Sequence, residues 1–178
     1  MNLLPILVVS ALLLALRVSG STLEARTCGV PSDAVPFYRS FSSSRQDYWY
    51  SPDGTAVSTA IRAGYELQEV IGLIFLTQEE GTAPLYHLVD ATHQLYTMNI
   101  TEVAVQEQHG WSGSNLNPPT LYIYPDQVCG SIPMYRLFSA ATEGYFYTTS
   151  SAERLEFIQN EGYADVGITG YILPLGCS

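Results

Sequence analysis

One pattern is written three times along this chain. Val35-Pro36-Phe37-Tyr38-Arg39-Ser40-Phe41 returns as Ala83-Pro84-Leu85-Tyr86-His87-Leu88-Val89 and again as Ile132-Pro133-Met134-Tyr135-Arg136-Leu137-Phe138. Tyr48-Trp49-Tyr50-Ser51 is echoed by Gln94-Leu95-Tyr96-Thr97 and Tyr145-Phe146-Tyr147-Thr148, and Gly64-Tyr65 by Gly110-Trp111 and Gly162-Tyr163. A period near 50 residues marks supersecondary units that cannot bury their apolar faces alone. Three such units predict one body with pseudo-threefold symmetry, so the repeat points to recognition or scaffolding before catalysis.

The third unit is the clearest. Met134 to Phe138 alternates as a strand, and Tyr145 to Thr149 is a second β-rich run beyond a turn. Ser150-x-x-Glu153 reads as a capping box opening a short helix, Gly162 stops it, and Gly167 to Leu173 closes the unit as a strand. The first unit predicts a helix over 56–63 and a closing strand over 70–76. The second predicts a helix over 102–108 and a closing strand over 121–124. The fold class expected is mainly β, α+β: three strand–strand–short helix–strand repeats (about 35–82, 83–131 and 132–178). Closure is expected to be β-trefoil-like or three-bladed propeller-like. No low-complexity linker separates the units, so residues 21–178 read as a single domain.

Residues 1–20 read as a signal peptide, an apolar run with small residues at Val18-Ser19-Gly20, which implies a secreted, extracellular chain. No second apolar run of membrane-spanning length follows. The 178 residues contain no lysine, and 7 arginines against 17 acidic residues give a net charge of −10. That balance argues against nucleic acid and anionic membranes as partners, since both need clustered positive charge. In an oxidising compartment two of Cys28, Cys129 and Cys177 should pair. The shared Cys-Gly context ahead of a repeat favours Cys28–Cys129 over Cys28–Cys177, leaving Cys177 free or available to link a dimer. Asn99-Ile100-Thr101 is a glycosylation sequon at a predicted turn.

The units resemble a family of secreted fungal and bacterial repeat domains of unknown function, whose unit runs P-L-Y-R-L-Y-N, D-H-F-Y-T-T-S, A-E-R, G-Y, E-G-I-A-G-Y-V. Pro133 to Phe138, Tyr145 to Ser150, Ala152-Glu153-Arg154, Gly162-Tyr163 and Gly167 to Tyr171 carry the likeness. The resemblance implies an accessory binding role beside secreted hydrolases. The family's Asp-His pair before the aromatic strand is here Asp47-Tyr48, His93-Gln94 and Gly144-Tyr145. It therefore nominates Asp47, Tyr48, His93 and Tyr145 as ligand-binding candidates.

Alternation along the aromatic strand places Trp49, Leu95 and Phe146 on one side, expected in the core, and Tyr50, Tyr96 and Tyr147 on the other. Tyrosines facing solvent would stack on sugar C–H faces, while buried ones would tie their hydroxyls to backbone. Arg39 and Arg136, with His87 in the equivalent place, need carboxylate partners if buried, and Asp47 and Glu143 lie across the expected hairpins. His87, His93 and His109 have no metal-site spacing, and no nucleophile elbow, H-E-x-x-H pair or phosphate loop occurs, so neither catalysis nor a cofactor or metal is expected. The functional expectation is a secreted, non-catalytic, carbohydrate-binding (lectin-like) module, with up to three shallow sites for glycans or cell-wall polysaccharide. The alternative is a protein-interaction, inhibitor or cell-wall structural protein.

Overall fold

A computed structural model describes residues 28–113 and 118–176. The signal peptide expected over residues 1–20, and Cys177, lie outside the described residues. A 3-10 turn, Pro31–Asp33, leads into the first unit: β1 (Ala34–Ser42), β2 (Asp47–Ser51), α1 (Gly54–Arg62) and β3 (Glu66–Phe75). The second comprises β4 (Ala83–Pro84), β5 (Tyr86–Val89), β6 (Gln94–Thr97), α2 (Ile100–Gln108), β7 (Ser112–Gly113) and β8 (Tyr122–Ile123). The third is β9 (Ile132–Ser139), β10 (Gly144–Thr148), α3 (Ser151–Asn160) and β11 (Ala164–Ile172). The fold is mainly β, with three small antiparallel sheets and three helices among the described residues.

Each unit forms its own antiparallel sheet with the first strand in the middle: β2-β1-β3, β6-β5-β7 and β10-β9-β11. The registers repeat as well. Pro36 pairs with Leu73, Pro84 with Tyr122 and Pro133 with Tyr171, so the three prolines occupy matching rungs. The second unit is split, and its β4 and β8 join the first unit's sheet through Phe75–Tyr122. Pro118 and Pro119 just ahead of β8 carry no N–H, which denies a continuous closing strand its ladder bonds. No ladder closes the sheets into a barrel among the described residues.

The helices begin alike. Ser51, Thr97 and Thr148 end the aromatic strands, and each hydroxyl accepts from the N–H two residues on. Those next residues, Asp53, Asn99 and Ser150, cap α1, α2 and α3 with a side-chain oxygen.

The aromatic strands converge at the centre. Tyr50 Oη donates to Tyr147 O (2.8 Å), Tyr147 Oη to Tyr96 O (2.8 Å), and Tyr96 Oη to Tyr50 O (2.6 Å). Each hydroxyl also accepts the N–H of the residue whose carbonyl it reaches, at 2.8–3.2 Å. Adjacent rings meet edge to face with centroids 5.5–5.6 Å apart. The result is a cyclic lock relating the three units, packed against Phe37, Leu85, Met134, Ile71, Ile123 and Ile172. Where closing strands cross a neighbour only glycine fits: a Cβ on Gly72 would lie 2.5 Å from Ile172 Cδ1, and one on Gly170 2.5 Å from Ile123 Cδ1. Cys28 and Cys129 are joined in a disulfide spanning 101 residues, tying the start of the first unit to that of the third.

Candidate functional site

The sequence nominated the tyrosines as a possible ligand face, and the structure corrects this. Tyr50, Tyr96 and Tyr147 are 1–2% exposed, and both hydrogen-bonding capacities of every hydroxyl are spent on backbone. They hold the fold and present no surface. Tyr48 is half-buried against Phe41, Phe146 and Phe157, and burial pushes its hydroxyl up to about 12. Tyr145 is half-buried beneath the Arg136 guanidinium, 4.3 Å from its ring centroid.

Asp47, which starts one aromatic strand, and His93, just ahead of another, come together with Gly144 at one end of the central bundle. A Cβ on Gly144 would sit 3.5 Å from His93 Cδ2 and 3.6 Å from Gln46 O. Asp47 is buried and accepts from Tyr65 Oη at 2.7 Å. Burial raises its carboxyl to about 6, outweighing the Tyr65 hydrogen bond and the nearby His93. His93 is held by Asp90, whose carboxylate accepts from the His93 N–H at 2.6 Å. Asn99 is exposed, and its side-chain oxygen is the α2 cap.

The ion pairs also differ from the expected pairing across hairpins. Arg39 makes a bidentate bond to Glu153 (2.9 and 2.7 Å), and Arg136 makes one to Glu102 (3.0 and 2.8 Å). Each arginine therefore reaches the first turn of a neighbouring unit's helix. Thr148 and Thr97 donate to the same carboxylates from five residues upstream. Burial alone would raise Glu102 and Glu153, but the bonds from arginine and threonine hold both below the ordinary range. Asp47 is engaged by Tyr65, and Glu143 occupies a left-handed turn at φ 57°, so neither takes the role the sequence suggested.

Threefold logic calls for a third pair between positions 87 and 56, and there both members are missing. His87 stands for arginine and Ala56 for glutamate. The His87 ring lies flat on Tyr96, centroids 4.3 Å apart and planes 2° from parallel, and Nε2 is 2.7 Å from Gln94 Oε1. Burial pushes its imidazole down to about 4, so it is neutral at neutral pH.

The three junctions between units thus end differently. At Arg39 the groove is filled by β3 side chains: Gln68 Oε1 accepts from Arg39 Nε at 2.9 Å, and the Glu69 carboxylate is 2.9 Å from Nη2. At Arg136 the corresponding β11 residues are Val166 and Gly167, and a cleft of about 350 Å³ remains, lined by Met98, Asn99, Glu102, Arg136 and residues 166–169. At His87 a more apolar cleft of about 410 Å³ is lined by Trp49, Ser51, Leu76, His87, Thr120 and Leu121.

Trp49 distinguishes this last cleft. Its counterparts Leu95 and Phe146 are fully buried, as expected, but Trp49 is only half-buried. On its other side it borders an open hollow of about 500 Å³ with Thr59, Ala60, Tyr65 and Gln94. It is therefore a ridge between two depressions. Sequence reasoning placed it in the core because alternation along one strand cannot show that the arginine from another unit, which lies 4.7 Å over the ring of the counterpart Phe146, is here replaced by His87. The available signal was the Thr-x-x-x-x-Glu spacing of the second and third units, which in the first reads Ser51 to Ala56.

Among the described residues no group of three His, Cys, Asp or Glu is placed to hold a metal, and no helix is long and apolar enough to cross a membrane. A family model described as a domain of unknown function (DUF5648) matches twice, over residues 14–117 and 92–173. No curated protein and no solved structure matches the chain.

Proposed function

The chain belongs to the DUF5648 family of unknown function, and from its geometry we propose that it is a non-catalytic, secreted carbohydrate-binding module whose principal site is the Trp49–His87 cleft. One observation carries this reading: the single junction that lacks both members of the arginine–glutamate pair exposes a tryptophan face in an open, uncharged cleft. A half-buried indole offers a flat apolar face for sugar C–H groups, while Ser51, Thr120 and His87 supply hydroxyl and imidazole partners around it. An uncharged site suits a neutral polyol, which needs hydrogen bonds and stacking rather than ion pairing. The hollow beyond Trp49 lets a chain of sugars continue over the ridge.

The central tyrosines support this reading by giving the cleft rigid walls. Tyr50 lines it and is held at both its hydroxyl and its backbone. We read the closure as three-bladed and propeller-like, with β2, β6 and β10 innermost. The binding role is thus moved from the repeated tyrosines to the one place where the repeat is broken.

A glycan array probed with the unglycosylated protein tests the proposal. Binding to neutral glycans that is lost in Trp49→Ala, with an unchanged circular dichroism spectrum, is the expected result. A blank array, or binding indifferent to Trp49→Ala, would overturn it, and a blank array together with capture of a purified protease would favour the inhibitor reading.

A further inference from the structure

The cleft at Arg136 carries a second, chemically different assignment. Arg136 is 92% buried by its 8% exposure, and its Nη atoms are satisfied by Glu102. Its Nε, and the Oγ1 of Thr169, which also lines the cleft, have no hydrogen-bond partner among the described residues; both atoms are closed to solvent, so an acceptor entering from the cleft reaches them only by displacing side chains that line it. A buried guanidinium N–H without an acceptor is costly, so its place in a cleft wants a reason.

The molecule contains its own reference for what is missing. Arg39 and Arg136 sit at the same position of their repeats, with the same bidentate partner from the next helix. Both closing strands carry a register shift opposite the arginine. Around it Tyr38, Arg39 and Ser40 pair with Val70, Glu69 and Leu67, and Tyr135, Arg136 and Leu137 with Ile168, Gly167 and Asp165. The skipped residue is Gln68 in one strand and Val166 in the other. Gln68 turns its amide oxygen onto Arg39 Nε at 2.9 Å. Val166 cannot, and Gly167 in place of Glu69 leaves the space in front open.

We propose that the Arg136 cleft binds the N-acetyl group of an amino sugar, whose carbonyl oxygen takes the place that the Gln68 amide oxygen holds on Arg39. The proposal rests on the carbohydrate reading above and assigns a second site to it. The acceptor is a neutral amide rather than a carboxylate because Glu102 already neutralises Arg136, and a further anion would face that carboxylate. The acetyl methyl finds apolar neighbours in Met98, Val166 and Ile168, and Thr169 Oγ1 can accept from the amide N–H. Asn99, the acceptor of the sequon, lies on the rim of the same cleft. The amino sugar therefore has two sources, a separate oligosaccharide or the innermost sugar of a glycan on Asn99.

The test follows the Arg136 Nε–H resonance by NMR in unglycosylated protein during titration with the β-1,4 disaccharide of N-acetylglucosamine. A saturable shift is expected, with affinity at least tenfold weaker for the glucosamine and glucose disaccharides. Val166→Gln, which supplies the missing acceptor in cis and leaves the ion pair alone, should weaken binding at least tenfold. Equal affinity for acetylated and non-acetylated sugars, an unmoved Nε–H, or undiminished binding by Val166→Gln would each overturn the proposal. In protein bearing an Asn99 glycan, a resonance already shifted and restored by deglycosylation assigns the cleft to that glycan. An unshifted resonance that free sugar moves assigns it to a separate ligand, and both outcomes support the chemistry. Trp49→Ala separates the two sites. Binding that Trp49→Ala abolishes while the Arg136 signal stays silent sinks this assignment alone, whereas an Arg136 response with array binding indifferent to Trp49→Ala sinks only the principal site.

Discussion

Tyr50 and Tyr147, 97 residues apart, exchange two hydrogen bonds through one hydroxyl: Tyr50 Oη donates to Tyr147 O and accepts from Tyr147 N–H, both at 2.8 Å. Side chain here replaces a strand neighbour. Among the described residues β2, β6 and β10 are each an edge strand of their sheet, and buried backbone groups must be paired. Threefold repetition lets one residue type satisfy all three strands.

Tyr147→Phe should therefore cost far more than one hydroxyl suggests. It strands the buried N–H and C=O of Tyr96. A loss of about 2–4 kcal/mol is expected from the price of unsatisfied buried groups, read as the shift in urea midpoint at constant m-value. Tyr135→Phe, removing a hydroxyl outside the ring, serves as control and should change stability by less than about 0.5 kcal/mol.

Breaking one ion pair should also be costly. Glu153→Gln leaves Arg39, 5% exposed, with a buried charge and only the flanking Gln68 and Glu69. About 3 kcal/mol is expected, the low end for a broken buried pair, because Glu153 itself is a quarter exposed. Conversely, Ala56→Glu with His87→Arg should rebuild the third pair. The double variant should be more stable than His87→Arg alone, and a double-mutant cycle measures that coupling.

The pH profile should conceal two opposed titrations. Folded Asp47 keeps a proton up to about pH 6 that the unfolded chain releases near 3.8, so this group makes stability fall as pH rises through that window. Folded His87 refuses a proton until about pH 4 that the unfolded chain takes up near 6.5, so it makes stability fall as pH drops. Asp47→Asn should leave a profile that rises from pH 4 to 6.5, and His87→Gln one that declines from pH 4 to 6. Denaturant midpoints measured at half-unit steps distinguish them, and two profiles parallel to the wild type would contradict the assignment.

Reduction of Cys28–Cys129 should lower stability by up to about 4–5 kcal/mol, the chain-entropy value for a loop near 100 residues. Cys129→Ser read by thermal unfolding, with reductant present in both samples and absent from both, checks that the difference comes from the bridge. The two proteins should converge when both are reduced.

Much of the fold was legible because the repeat enforces itself. Pro36, Pro84 and Pro133 marked matching rungs, Ser150 marked a cap, and the three helices and most strands lie within a few residues of where patterning put them. What the sequence hid was everything set by contact between units. Alternation assigned Tyr50, Tyr96 and Tyr147 to one side of a strand, but could not say that three such sides face one another on an axis. Arg39 and Arg136 were expected to find carboxylates in their own hairpins, because sequence distance favours local partners, yet both reach across to another unit's helix. The candidate cleft was hidden for the same reason. His87 lines the cleft and Ala56 the hollow on the other side of Trp49, so two absences in different repeats meet at one indole only in the folded chain.

Trp49 itself can report on the central claim. In Trp111→Phe it is the sole tryptophan, and its half-buried indole should blue-shift saturably when the neutral glycan selected on the array is titrated in. The same titration of the variant that also carries Ala56→Glu and His87→Arg should be flat, because the rebuilt ion pair fills the cleft. Glycan binding that saturates by calorimetry while Trp49 emission does not move would place the site elsewhere and contradict the account.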